Sequence, residues 1–455
     1  MLNVALKKIQ FGYNLADFSV FLAEVDQLCL TCLPLLQQAT GNANYAKLLL
    51  LKISNLLVMK YQFLHGHEHL LGRPFGLLVD PSNSCPLRCP GCLHNSYFRQ
   101  HDTIIDWPDG LLSLETFERF LRQFAPYALH IDFFNWGEPL ANPNTPKFIE
   151  MAKGFGLETV LSSNLNTKFD AEKLVCSGLD YLIMSVDGAS PEAYQKYRRG
   201  GDFARVIGNI EKLVAAKRKF GTQSPRLVWQ FLTFEHNVDE IPLATEMAKA
   251  LGVDVIRFNE PYDVSWGDPA LLVNNQHLGK IVLSEYTTDR CNVETTIQSI
   301  TSNASLIEET YCRTWQGRMG ENDQQHATKV GNRCPWLYKN LVMDAHGRIL
   351  PCCYAPEKSD QYDYVFSTIE QTMGQDPFNT DCFVKARNIR IDKQTVGEPD
   401  HAEKRPYCVI CKNRKVANID TDQIINYFNK YNLVSDQPVL SEKSIWLLAD
   451  WAPLG

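Results

Sequence analysis

Apolar residues recur with helical spacing in two leucine-rich stretches, 18–36 and 44–64, and no alternating strand pattern interrupts them. Residues 1 to about 74 therefore read as helices only. From residue 75 the pattern changes. Short apolar, β-branched or aromatic runs fall at 76–80 (GLLVD), 129–134 (LHIDFF), 158–162 (ETVLS), 181–186 (YLIMSV), 227–233 (LVWQFLT) and 253–258 (VDVIRF). Helical patterns lie between them at about 113–125, 144–155, 170–177, 190–199, 203–219 and 238–251. The helix at 113 begins SLETF, where Ser113 suits the cap and Glu115 the first turn. Strand–helix alternation predicts parallel strands with right-handed crossovers. Six units in this region fall short of a closed eight-fold barrel. The fold class expected is α/β, a partial (β/α)6 TIM-like barrel open on one side, with its chemistry at the carboxyl ends of the strands.

The same pattern divides the chain into a helical segment (1–74), the barrel (75–262), a polar insertion or cover without alternation (263–333), a small domain (334–420) and a helical tail (421–455) carrying Trp446 and Trp451. No internal repeat is present.

The 455 residues are 45% hydrophobic and 21% charged, with a net charge of −7. That balance supports a large core and gives no basic surface for nucleic acid or an anionic membrane. The start, MLNVALKKIQFGYNLADF, lacks the features of a secretory signal. The apolar stretch 46–64 is broken by Lys47, Lys52, Asn55 and Lys60, so no transmembrane segment is expected. A cytoplasmic, soluble protein is the expectation.

In a reducing compartment, clustered cysteines bind metal or do redox work more often than they form disulfides. Of the 14 here, Cys85, Cys89 and Cys92 form one group, and Cys334, Cys352, Cys353, Cys382, Cys408 and Cys411 a second. Isolated Cys176, Cys291 and Cys312 read as small hydrophobes. Cys29 and Cys32, inside the apolar run LCLTCLPLL, read as core rather than metal ligands. The unusual motifs of the barrel all fall at strand ends: DPSNSC, NWGEPL, SSNLN and SVDGAS.

Cys85-x3-Cys89-x2-Cys92, on the loop after the first strand, resembles the radical S-adenosylmethionine (SAM) superfamily. The resemblance implies a 4Fe–4S cluster on these three cysteines, with one iron open to the amino and carboxylate groups of SAM, and reductive cleavage to a 5′-deoxyadenosyl radical. Trp136-Gly137-Glu138-Pro139 resembles the family's GGEP motif, whose backbone receives the methionine amine, and Glu138 could instead be structural. Ser185-Val186-Asp187-Gly188 resembles the fourth-strand motif, with Ser185 as ribose contact. In Tyr197-Arg198-Arg199-Gly200-Gly201 either arginine could hold the SAM carboxylate as a bidentate pair, the other being a solvated helix end. Ser163 and Asn164, ending the third strand, are further SAM contacts to expect. Where many members carry an aromatic residue before the third cysteine, Gly91 stands here, which leaves adenine contacts to Leu93 or Tyr97.

The later pattern, Cys334-x12-Gly347-x4-Cys352 followed by Cys408-x2-Cys411, resembles the SPASM/Twitch extension of the same superfamily. DAHGRILP reads as a hairpin turning at Gly347. With no cysteine after Cys411, the match is to the shortened Twitch form, implying one auxiliary 4Fe–4S cluster on Cys334, Cys352, Cys408 and Cys411. A four-thiolate zinc site is the alternative. Cys353 and Cys382 are left without an assigned role.

These likenesses imply a radical SAM enzyme with an electron donor such as flavodoxin or ferredoxin. The leading expectation is an oxidation of a small, natural-product or sugar-like molecule, with the substrate radical's electron going to the auxiliary cluster. Glu235, His236, Glu260 and Asp263 are candidate bases. The competing readings are modification of a ribosomal peptide, a lipid substrate docked on the 44–64 helix, and a non-enzymatic iron–sulfur or zinc scaffold.

Overall fold

The protein is described here from a computed structural model, which describes residues 17–96, 100, 105–261, 268, 270–284, 300–313, 334–354, 356–370, 376–389, 405–406 and 408. Cys411, Asp263, Tyr97, Cys291 and the tail with Trp446 and Trp451 lie outside the described residues.

Two long helices come first, α1 (Phe18–Thr40) and α2 (Ala43–His65). Asp17 accepts N–H bonds from Ser19 and Val20, and Asn42 accepts one from Tyr45, so each helix begins on an acceptor side chain. Each ends on a left-handed glycine, Gly41 (φ 62°) and Gly66 (φ 72°). One face of α1, with Phe21, Val25, Leu28, Cys29, Cys32 and Leu36, is buried. By length and mean hydropathy (1.5) α1 would also pass as a membrane span, but its apolar face packs on α2. α2 is buried on nearly every side, which leaves no face for docking a lipid. Both helices belong to the same hydrophobic core as the barrel. The Lys52 amine reaches the carbonyls of Ala125 (3.1 Å) and Ala128.

The barrel alternates β1 (Gly76–Val79), α3 (Leu114–Phe124), β2 (His130–Phe133), α4 (Thr145–Lys153), β3 (Glu158–Ser163), α5 (Ala171–Cys176), β4 (Tyr181–Ser185), α6 (Pro191–Tyr197) with α7 (Phe203–Phe220), β5 (Arg226–Leu232), α8 (Ile241–Leu251) and β6 (Val255–Asn259). Strands β1 to β6 are parallel and neighbour one another in sequence order. Every strand lies where the apolar runs predict it. Runs such as GLLV and YLIMS are buried at every position, as parallel strands covered on both faces must be. The main core fills the space between sheet and helices, while Val160, Tyr181, Ile183, Val228 and Val255 form a second cluster on the opposite, inner face. Ser113 caps α3 as expected, accepting from the Thr116 N–H at 3.0 Å.

The described parts of 263–333 are more regular than their polar sequence predicts. Strand β7 (Gly279–Val282) runs antiparallel to β6, and α9 (Ala304–Arg313) packs on α2 with Ile300 and Ile307 fully buried. The signal is weak because β7 is an exposed edge and Ile300 and Ile307 are seven residues apart in a polar stretch.

After α10 (Trp336–Lys339) the chain enters the predicted hairpin, β8 (Asn340–Met343) and β9 (Arg348–Leu350). Gly347 holds its turn at φ 73°, where an added Cβ would come within 2.9 Å of Ile369 and Thr116. The hairpin is not a separate sheet. β8 pairs in parallel with β1, so ten strands run β11-β9-β8-β1-β2-β3-β4-β5-β6-β7, with β11 at Ser367–Thr368. A two-residue ladder joins β10 (Tyr362–Asp363) to β12 (Arg405–Pro406), and α11 (Asp381–Asn388) packs on β12.

Candidate active site

The loop leaving β1 carries Cys85, Cys89 and Cys92, and four other segments hold it in place. On one side, the Glu138 N–H donates to the Ser84 carbonyl (2.9 Å). On another, the Arg88 N–H donates to the carbonyl of Arg199 (2.9 Å). The Asn83 N–H donates to Gly110 (2.9 Å), and the Asn83 side chain grips the hairpin: its amide donates to Asp344 (3.2 Å) and its oxygen accepts from Ala345 N–H (2.9 Å).

The Trp136–Pro139 loop is itself fixed from below. Asp80, ending β1 and fully buried, accepts N–H bonds from Asn135 (3.1 Å), Trp136 (3.2 Å) and Gly137 (3.0 Å). Burial pushes the Asp80 carboxyl up to about 7, with Asp344 adding to the rise and the three N–H donors opposing it. Gly137 passes so close to the cysteine loop that a Cβ there would lie 1.5 Å from the Ser82 carbonyl oxygen. No other residue fits. Glu138 is buried and accepts from Leu140 N–H (3.0 Å), the Ser163 hydroxyl (2.7 Å) and Asn164 N–H (2.9 Å). Its carboxylate thus binds the ends of β2 and β3 together, which is the structural alternative raised from the sequence. Pro139 follows in the first turn of a short 3-10 helix.

Ser163 is occupied by Glu138 and by the N–H of Leu165, whereas the Asn164 amide reaches the Cys85 sulfur at 3.5 Å. Ser185, at the end of β4, lies 3.5 Å from the Ser162 hydroxyl. The two arginines part company. Arg199 is exposed and pairs with Asp268 at 2.6 Å. Arg198 is largely buried; its Nε donates to Asp187 at 2.5 Å and its Nη1 lies 3.8 Å from the Cys89 sulfur. Asp187 in turn accepts from Leu232 N–H at 2.7 Å, so a fixed carboxylate aims Arg198 at the cysteine loop. Leu93 is buried beside Cys92, Trp107 and Trp136.

Burial raises all three thiols, Cys92 to about 12, and Arg198 opposes the rise at Cys89. The loop offers three thiols within eight residues, the donor chemistry of a 4Fe–4S site, although among the described residues no three His, Cys, Asp or Glu side chains stand close enough together to hold a metal ion.

Of the second set, Cys334, Cys352, Cys353 and Cys408 are half-buried. Cys334 and Cys408 pack at the margin of the main core, and Cys353 packs with Leu78, Val342, Leu350, Trp107 and Trp336. Cys382, at the start of α11, lies 3.9 Å from the Asp363 carboxylate. Among the candidate bases, Glu235 accepts from Asn274 (3.1 Å), His236 stacks on Phe234 with burial lowering its pKa, and Glu260 is exposed. Cys29 and Cys32 are buried core residues, as expected, and Cys176 is exposed.

Asp80, Asn83 and Trp107 were not singled out by the sequence. An acid ending a buried strand was a usable signal for Asp80. Trp107, in the stretch IIDWPDG, belongs to no motif, and only the fold brings it to the site.

The profile of the Radical SAM superfamily matches residues 79–225. An AdoMet-dependent heme synthase of Methanosarcina barkeri is 29% identical over 165 residues, 36% of this chain and 45% of the relative. A PqqA peptide cyclase of Streptomyces rochei is 28% identical over 202 residues, covering 43% and 51%. A probable GTP 3′,8-cyclase of Methanococcus maripaludis is 26% identical over 191 residues, covering 41% and 59%. The chain spans about half the length of these curated relatives. Among solved structures, Streptococcus suis SuiB bound to S-adenosylmethionine aligns with a TM-score of 0.41 at 14% identity, over 66% of this chain and 64% of that one. Residues 79–225, which carry the three-cysteine loop and the WGEP, SVDG and YRRGG segments, are a radical SAM domain.

Proposed function

We propose that this chain is a radical SAM enzyme holding a 4Fe–4S cluster on Cys85, Cys89 and Cys92. When bound, that cluster and S-adenosylmethionine supply a 5′-deoxyadenosyl radical that takes a hydrogen atom from the substrate. The observation that carries this reading is the clamp on the cysteine loop, in which Gly137 fits against Ser82, Asn164 reaches Cys85 and Arg198 reaches Cys89. The backbone of Trp136, Gly137, Glu138 and Pro139 serves the methionine amine, Ser185 the ribose, and Arg198, rather than the exposed Arg199, the carboxylate side. Asp80 and Glu138 keep that loop still while Asp187 orients Arg198.

The second set, Cys334, Cys352, Cys408 and Cys411, holds one auxiliary 4Fe–4S cluster. A site closed by four thiolates is suited to accepting an electron rather than binding substrate. The reaction is therefore an oxidation of a small molecule, with an electron donor of the flavodoxin or ferredoxin type and a reducing, cytoplasmic setting. A second reading, modification of a ribosomal peptide, rests on the names of relatives, the PqqA peptide cyclases. The relatives' names also include a heme synthase and a nucleotide cyclase, and what unites them is the radical-generating half.

The test is anaerobic reconstitution with iron and sulfide counted per chain, and 5′-deoxyadenosine assayed from SAM. About eight irons are expected in the wild type and about four in a Cys334→Ala/Cys352→Ala variant that still cleaves SAM. Zinc in the second set would end the oxidation reading, and loss of all iron without loss of SAM cleavage would end the whole reading.

A further inference from the structure

The inner wall of the barrel carries a carboxyl that the site at the strand ends does not use. Across β8, β1, β2 and β3, Val342, Leu78, Asp132 and Val160 are register partners in one row. Val160 belongs to the inner apolar cluster, and Leu78 and Val342 to another apolar cluster, so Asp132 stands between buried hydrocarbon on both sides. Asp132 keeps part of its exposure, yet its Oδ1 is buried with no hydrogen-bond partner among the described residues. A bare carboxyl in apolar surroundings costs free energy unless something bonds it.

Two residues earlier along the strands, the row is Asn340, Gly76, His130 and Glu158. A Cβ on Gly76 would lie 2.3 Å from the Asn340 Oδ1 and 2.9 Å from the His130 ring, so both side chains close over that glycine. Asn340 is 5% exposed, and its Nδ2 also has no hydrogen-bond partner among the described residues. Burial, and then the Glu158 charge, push the Asp132 carboxyl well above its ordinary value. His130 is lowered to about 4 by burial and Lys339, while Tyr181 and Arg226 stand further round the row on β4 and β5. A neutral carboxyl offers one O–H donor, which suits an uncharged oxygen acceptor.

We propose that the barrel interior beside Asp132 is a substrate subsite for a hydroxyl or carbonyl oxygen, bonded by the Asp132 carboxyl, with the Asn340 amide beneath it as a second donor. This rests on the reading of the chain as a radical SAM enzyme acting on a small molecule. At about 3.3 Å per residue, Asp132 lies no more than about 13 Å below Trp136 along the chain. A small molecule anchored there therefore extends towards the cysteine loop.

The experiment compares wild type, Asp132→Asn and Asp132→Leu as full, anaerobically reconstituted chains, with cyclohexanone as the probe. The infrared difference between wild type and Asp132→Asn isolates the carbonyl stretch of a protonated Asp132, and cyclohexanone should shift that band saturably. Equilibrium dialysis then gives the affinities. Asp132→Asn keeps a donor and should bind within about twofold of wild type, whereas Asp132→Leu should bind about tenfold more weakly, the worth of one hydrogen bond. A residue that only supported the fold would not be rescued by asparagine in this way. The band is read without Asp132→Leu, so the test stands even where that variant folds poorly. An unshifted band, or equal affinity in wild type and Asp132→Leu, overturns the proposal. Tighter binding of cyclohexylamine than of cyclohexanone also overturns it, because the carboxylate would then be a cation site. A wild type that makes no 5′-deoxyadenosine from SAM overturns the radical reading instead, and this inference with it.

Discussion

Asp80 shows how a single side chain can carry a loop. Its Oδ1 accepts all three N–H groups of Asn135, Trp136 and Gly137, and an asparagine can supply the same acceptor. The carboxyl is raised from 3.8 to about 7 chiefly by burial, so the folded protein holds a proton there that the unfolded chain releases near pH 4. The sign follows: this contribution to stability is fully present below about pH 4 and is lost as pH rises through about 7. Asp80→Asn should fold and flatten that part of the pH dependence, which in the wild type has a slope of about 1.4 kcal/mol per pH unit between the two values. Denaturant titrations at pH 5, 6 and 7 measure it, and parallel slopes in the two proteins would refute the assignment. The cysteine spacing and the WGEP, SVDG and YRRGG motifs were legible because each is a short contiguous stretch that resembles a family motif residue by residue. Asp80 and Asn83 were not, because what they bind is backbone brought from elsewhere in the chain.

At the scale of elements, the six parallel strands were legible because both their faces are covered, so their runs are apolar throughout. The hairpin at Gly347 was legible because only glycine tolerates that φ so close to Ile369 and Thr116. Strand β7 was not, since its Ile281 and Val282 are exposed on an edge. The docking of α2 against the carboxyl end of α3 was equally hidden, since it turns on a lysine. Lys52 is fully buried, its charged form strongly disfavoured by desolvation, and its amine pairs the carbonyls of Ala125 and Ala128. Lys52→Met keeps the packing and leaves both carbonyls unpaired, which should cost about 2 kcal/mol. The measurement is the urea midpoint at constant m-value. A variant as stable as wild type would show that desolving the amine costs as much as its bonds return.

Among the described residues, the first four of the segments that composition divides into domains share one core. Arg387, 1% exposed, donates to the carbonyls of Leu337 (3.0 Å), Glu68 (3.0 Å) and Phe378 (2.6 Å), and its guanidinium lies 4.4 Å from the Phe378 ring centre. One fork thus joins the amino-terminal helices, α10 and α11. A lysine has no such fork, so Arg387→Lys should destabilise the chain by about 3 kcal/mol and lower the unfolding transition as a single cooperative step. Two resolved transitions in calorimetry would instead mean that the amino-terminal and carboxyl-terminal parts unfold separately. Sequence periodicity sees neighbours along the chain, and this junction spans more than three hundred residues.

The pairing of β8 with β1 also fixes a timetable. Asn83 waits for Ala345, 262 residues further along the chain. At about 5–20 residues per second of synthesis, that wait lasts on the order of tens of seconds. Throughout it the nascent protein has made the Cys85–Cys92 loop but not the hairpin turn that Asn83 grips, so the anchor of that loop is among the last parts of the fold to form.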